Sequence, residues 1–142
     1  MKRTILLLVA AALVLTGCSS NGGSAEDSTS DSASISAPSL DAATFQSKII
    51  KSGVIALDVR TADEYKQNHL IDARNIDVES SDFDSQIAAL DKSVTYAIYC
   101  QSGRRSAIAY NKMKEAGFTS LFNLDGGIRS WQEAGLPIVG SY

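Results

Sequence analysis

Beyond Leu40 the chain alternates between two hydrophobic rhythms. Val54-Ile55-Ala56-Leu57-Asp58-Val59 and Val94-Thr95-Tyr96-Ala97-Ile98-Tyr99 are short, mostly apolar and β-prone runs, the pattern of strands covered on both faces. Helical spacing fills the gaps between such runs. Asp41 to Lys51 carries Phe45, Ile49 and Ile50 at core spacing and is followed by Gly53. Thr61 heads a short helix with Glu64 three residues on, the spacing of a capping box. Asp82 to Leu90 reads as a helix, and Ala107 to Ala116 as a longer one with Ala109, Met113 and Ala116 on one face and Gly117 as its stop. Ala73 to Ile76 is a weaker strand and Thr119 to Leu124 a clearer one. Gly126-Gly127 opens a last helix that bears Trp131 and ends at Gly135 and Pro137. Strands alternating with helices predict an α/β fold with a mainly parallel sheet and helices on both faces. In such sheets ligands collect at the carboxyl ends of the strands.

The first 39 residues follow another pattern. Lys2 and Arg3 precede the apolar run Ile5 to Leu15, which is short for a membrane span, and small residues follow it; this is the layout of a secretory signal. Leu15-Thr16-Gly17-Cys18 resembles the bacterial lipobox, in which the cysteine is lipidated and the chain is cut before it. The expected organisation is a signal peptide at 1–17, a lipidated Cys18 with a Ser-rich tether at 18–39, and a folded domain at 40–142. Only Ile35-Ser36 within the tether could start a strand. A flexible tether of that length spans roughly 25 Å on average. These features place the protein on the extracytoplasmic side of a cell membrane, at the cell surface or in the periplasm.

Charge and cysteine usage narrow the chemistry. The chain has 142 residues and a net charge of -3, with no basic face to suggest nucleic acid as a partner. His69 is the only histidine and has no cysteine or histidine pattern around it, so neither a metal nor a cofactor is expected. With Cys18 lipidated, Cys100 is the only thiol left and has no intramolecular disulfide partner. A free thiol in an oxidising compartment is either inert or there to react.

Cys100 lies between the second strong strand and the longest helix. In Tyr99-Cys100-Gln101-Ser102-Gly103-Arg104-Arg105-Ser106 it is followed by the first N–H groups of that helix, which lack intrahelical partners and welcome an anion. Gly103 can adopt the left-handed conformation that curls successive N–H groups into a nest. Cys100 is placed to be the anion, with Gln101 to Ser106 as the loop that binds substrate.

Four segments in order carry a resemblance: Leu57-Asp58-Val59-Arg60 with Glu64-Tyr65; His69-Leu70-Ile71 with Ala73-Arg74-Asn75-Ile76; the Cys100 loop; and Asn123-Leu124-Asp125-Gly126-Gly127 with Trp131 and Gly135-Leu136-Pro137. From Leu40 to Val139 the chain resembles a single rhodanese domain, the sulfurtransferase fold. The resemblance implies a sheet of five mainly parallel strands. It also implies that Cys100 takes a sulfane sulfur from a donor, for which thiosulfate is the usual test, and passes it as a persulfide to a thiol or cyanide. Asp72 departs from the pattern, since the family usually has glycine before Ala73. Cys100 and Arg105 stand as Cys-x4-Arg, whereas related loops that handle phosphate or arsenate use Cys-x5-Arg; here that position is Ser106. Of the two loop arginines, Arg105 matches the family position whose side chain or backbone completes the pocket. Blander roles are expected elsewhere: an Arg60–Glu64 pair four residues apart, Asp58 as a loop-fixing acceptor, and Trp131 as packing.

Overall fold

The computed structural model describes residues 37–140. Five strands, β1 (Ser39–Leu40), β2 (Val54–Asp58), β4 (Arg74–Asn75), β5 (Thr95–Tyr99) and β6 (Leu121–Leu124), form one sheet in the order β1-β6-β5-β2-β4. Every pairing in it is parallel. Two further strands, β3 (His69–Leu70) and β7 (Ile138–Val139), pair antiparallel beside it. The helices are α1 (Ala42–Ile49), α2 (Ala62–Gln67), α3 (Phe83–Ala88), α4 (Arg104–Glu115) and α5 (Gly127–Glu133).

Strand alternation builds two cores. Leu57, Val59, Tyr96, Ile98 and Cys100 point to one face, where Phe83 and Ile87 of α3 and Ala109, Tyr110 and Met113 of α4 cover them. Ala56, Ala97 and Tyr99 point to the other, against Phe45 of α1 and Ile128 and Trp131 of α5. Each fully buried large side chain contributes about 1.5–3 kcal/mol. The central strands β2 and β5 are therefore sandwiched, as their unbroken apolar runs predict. Their carboxyl ends converge where Cys100 leaves β5.

The sequence expectations differ from the fold in a few places. Ile50 is 77% exposed rather than buried. It caps the C-terminus of α1, and five residues beyond Phe45 at 3.6 per turn put it well off the buried stripe. The opening strand is Ser39–Leu40, so its first residue comes from the stretch assigned to the tether; one residue earlier, the Pro38 carbonyl accepts the Asn123 N–H at 2.8 Å. Ile35-Ser36 and Cys18 lie outside the described residues. Asp72 sits at φ 59°, the left-handed conformation that explains why glycine is usual there.

Candidate active site

The Cys100 loop is fixed by its own backbone and by a neighbour. Gly103 takes φ 94° and ψ -20°, which turns the chain from β5 into α4. The turn brings the Gly103 N–H to 3.1 Å from the Cys100 Sγ. Ser106, one turn into α4, places its hydroxyl 3.4 Å from Sγ and 3.0 Å from the Gly103 carbonyl. That hydroxyl has a single proton, so it serves one acceptor at a time. Cys100 itself is only 1% exposed.

Gly127 holds the loop from behind. At φ 65° it opens α5 so closely that a Cβ on it would collide with the Cys100 carbonyl and lie 2.6 Å from both Gln101 C and Ser102 N. This approach lets the Ile128 N–H donate to the Cys100 carbonyl at 2.8 Å and the Arg129 N–H to that of Gln101 at 3.4 Å. Only glycine fits the position.

Charged groups brace the loop from the opposite side. The Arg105 guanidinium makes a two-pronged pair with Glu64, Nη2 to Oε1 at 2.7 Å and Nη1 to Oε2 at 2.8 Å, and Nη1 also lies 3.4 Å from Glu79. Glu64 meanwhile closes the capping box of α2: its carboxylate accepts from the Thr61 N–H, and Thr61 Oγ1 accepts from the Glu64 N–H. One carboxylate thus couples the starts of α2 and α4. The Arg105 hydrogen bonds hold the Glu64 carboxyl at about 2, well below its usual 4.5. Glu64 in turn raises the pKa of Arg105.

The expected Arg60–Glu64 pair is not formed. Arg60 precedes α2 rather than lying within it, so the helical four-residue rule does not apply, and its buried guanidinium grips Asp58 instead (Nη2 to Oδ2, 2.7 Å). Asp58 is the loop-fixing acceptor the sequence suggests, since its Oδ1 also takes the Arg60 N–H at 2.9 Å. Arg60 extends to the Asn68 carbonyl at 2.6 Å and to Gln101 Oε1 at 3.4 Å. Gln101 therefore faces this pair, while Ser102 and Arg104 are exposed and Arg104 has no ion pair among the described residues.

Other singled-out residues direct their side chains to partners other than the thiol. Trp131 is buried, donates its indole N–H to the Pro137 carbonyl and meets Phe45 edge-on, so it packs. His69 stacks on Tyr65 with ring centroids 4.0 Å apart, and its Nδ1 is 2.8 Å from the Tyr65 carbonyl. Buried Tyr99 has its pKa raised by desolvation, and its hydroxyl accepts the Leu70 N–H. Sequence reasoning missed Glu79 and the partnership of Glu64 with Arg105. The capping-box spacing and the glycine pair at 126 and 127 were the available signals for Glu64 and Gly127.

The family model for the rhodanese-like domain matches residues 41–134. Thiosulfate sulfurtransferase 16, chloroplastic, of Arabidopsis thaliana is 32% identical over 110 residues, covering 70% of this chain and 92% of that relative. A Synechocystis protein is 34% identical over 89 residues, and there the chain spans about half of the relative's length (49%). Among solved structures, a rhodanese-related protein of Thermoplasma volcanium superposes with a TM-score of 0.64 at 30% identity, covering 72% of this chain and 97% of that one. The parallel order β1-β6-β5-β2-β4, the thiol at the end of its central strand and these likenesses agree, and the chain belongs to the rhodanese-like domain family.

Proposed function

We propose that the protein is a lipid-anchored, extracytoplasmic sulfurtransferase working through a persulfide on Cys100. The observation that carries the reading is the Cys100 Sγ at the N-terminus of α4, with the Gly103 N–H 3.1 Å away and the Ser106 hydroxyl beside it. In the first half-reaction the Cys100 thiolate attacks the sulfane sulfur of a donor such as thiosulfate; the donor S–S bond breaks, sulfite leaves, and Cys100 carries the sulfur. In the second, a thiolate or cyanide attacks that outer sulfur and Cys100 leaves as the thiolate. The N–H and hydroxyl groups at the helix start stabilise anionic sulfur in both halves, which makes preorganised electrostatics their main contribution. Gln101 to Ser106 frame the donor, with Gly103 and Ser106 closest to the reacting atom. No cofactor enters the scheme. The names of the sulfurtransferase relatives support the activity, and the Cys-x4-Arg spacing counts against phosphate or arsenate chemistry. The Cys18 lipobox supports the membrane anchor and the extracytoplasmic location.

Intact mass of the purified protein before and after thiosulfate, with Cys100→Ser beside it, tests the reading. A gain of one sulfur atom on Cys100 that cyanide removes as thiocyanate is expected; no sulfur on Cys100 from thiosulfate or polysulfide refutes it. The near-complete burial of Cys100 favours a second reading, a persulfide carrier with little turnover. Stoichiometric loading with negligible thiocyanate production would select it. Metabolic labelling with a fatty-acid analogue, abolished by Cys18→Ala, tests the anchor.

A further inference from the structure

Two carboxylates share the one guanidinium beside the loop. Glu64 occupies the fork of Arg105 in two-pronged fashion, and Glu79 lies on Nη1 from the loop between β4 and α3. The backbone of Glu79 is pinned, because its N–H donates to Asp77 Oδ1 at 2.9 Å. Its side chain is 57% exposed, so the carboxylate sits on the solvent side of Arg105. The three groups together carry a net charge of one negative. Arg60 is matched by Asp58 in a buried pair. Arg104 is the remaining loop cation, on the exposed side of α4 away from buried Ser106, Ala109 and Tyr110.

A compact oxyanion is held best by a free guanidinium fork. Here that fork is filled. Thiosulfate concentrates two negative charges on one small ion, and a sulfonate drawn toward Arg105 while its sulfane sulfur sits on Cys100 meets Glu79 on Nη1. An organic persulfide presents only its outer sulfur, and the rest of the molecule stays outside the loop. Coulomb repulsion scales with the charge product, so the dianion is penalised about twice as much as a monoanion at equal distance.

We propose that Glu79 is a specificity-determining residue of the donor step, selecting organic persulfides of at most one net negative charge over the thiosulfate dianion; this rests on the sulfurtransferase reading above. In that step the Cys100 thiolate attacks the outer sulfur of R–S–SH. A bond forms between Sγ and that sulfur, the R–S bond to it breaks, and R–S⁻ leaves. The product is Cys100–S–SH, and no external oxidant or reductant is consumed. Thiosulfate remains a usable donor at a handicap that Glu79 sets.

The test is the rate of sulfur loading on Cys100, followed by quenching and intact mass over a range of donor concentrations, with thiosulfate and cysteine persulfide as the two donors. Wild type, Glu79→Gln, Glu79→Lys and Glu79→Asp are compared. Glu79→Gln is expected to speed loading by thiosulfate about 3- to 10-fold at low salt through a lower half-saturating concentration and an unchanged limiting rate. Glu79→Lys exceeds it, Glu79→Asp stays near wild type, and loading by cysteine persulfide rises by no more than about the square root of the thiosulfate gain in each variant. The gain fades as the Debye length shrinks from about 10 Å at 0.1 M salt to about 3 Å at 1 M. Equal changes for both donors, no change in Glu79→Gln, or wild-type loading as fast from thiosulfate as from cysteine persulfide overturns the proposal and leaves the sulfurtransferase reading standing. Failure of both donors to load wild-type Cys100 removes that reading and the proposal together.

Discussion

Replacing Gly127 by alanine tests whether the close seat of α5 against the Cys100 loop matters, and Gly135 provides its control. Both glycines have nearly the same left-handed φ, 65° and 68°. A Cβ at Gly135 meets nothing within 4 Å, whereas one at Gly127 runs into the backbone of Cys100, Gln101 and Ser102. Gly135→Ala therefore measures the left-handed penalty alone, about 1–2 kcal/mol. Gly127→Ala adds overpacking against rigid backbone, about 1–3 kcal/mol, and the Ile128 to Cys100 hydrogen bond, about 1 kcal/mol. The expected total is about 3–6 kcal/mol against about 1–2 for the control, read from urea unfolding midpoints at unchanged slope. Two further readouts localise the damage. Amide exchange at Ile128 should accelerate in Gly127→Ala only, and sulfur loading of Cys100 in the folded fraction should fall at least about tenfold, since displacing a reacting group by about an ångström is costly. Equal destabilisation by the two substitutions, with loading intact in both, would refute the claim that Gly127 sets the position of the loop.

Other consequences concern the charged braces and the core. Glu64 is held at about 2 in the folded protein against an ordinary 4.5, so its contribution is fully present above about pH 4.5 and is lost as pH falls toward 2. Discounted for partial exposure, it amounts to about 1–2 kcal/mol, and the stability gap between wild type and Glu64→Gln should narrow from pH 5 to pH 3; a gap that widens contradicts the pairing. Asp58→Asn strands a buried Arg60 and should cost about 3–5 kcal/mol in thermal or urea unfolding, while a loss below about 1 kcal/mol would mean the pair is not buried as described. Trp131→Ala should cost about 3–5 kcal/mol while folded molecules load sulfur at the normal rate; slower loading per folded molecule would make the indole part of the site rather than of the core.

The sequence carries local information well and long-range information poorly, and the site shows both. The turn at Gly103, the helix that follows and the two buried strands are written in adjacent residues, so the seat of Cys100 was legible before any coordinates. The partner of Arg105 was not, because Glu64 lies 41 positions away and a nearer arginine offered a plausible short-range match. That match fails for a local reason: the helix starts at Ala62, after Arg60. Strands of two residues, such as β3 and β7, are shorter than any period that could announce them, and they form where the segment after α5 returns to pair with the stretch after α2. Ile50 misled because hydrophobicity alone does not say where a helix stops.

The direction of β1 has a practical consequence. It runs parallel to β6 at the edge of the sheet, with Ser39 beside Asn123 and Asn123 beside Ile98, so β1 lies level with the carboxyl-terminal part of β5, from which Cys100 leaves. A bead, sensor chip or fusion partner attached ahead of Ala37 joins the molecule through an edge strand, with β6 between it and β5. Immobilised that way, the domain is gripped by its border and not by the strand that bears the thiol, and small sulfur donors should load the buried Cys100 no more slowly than they do in free solution.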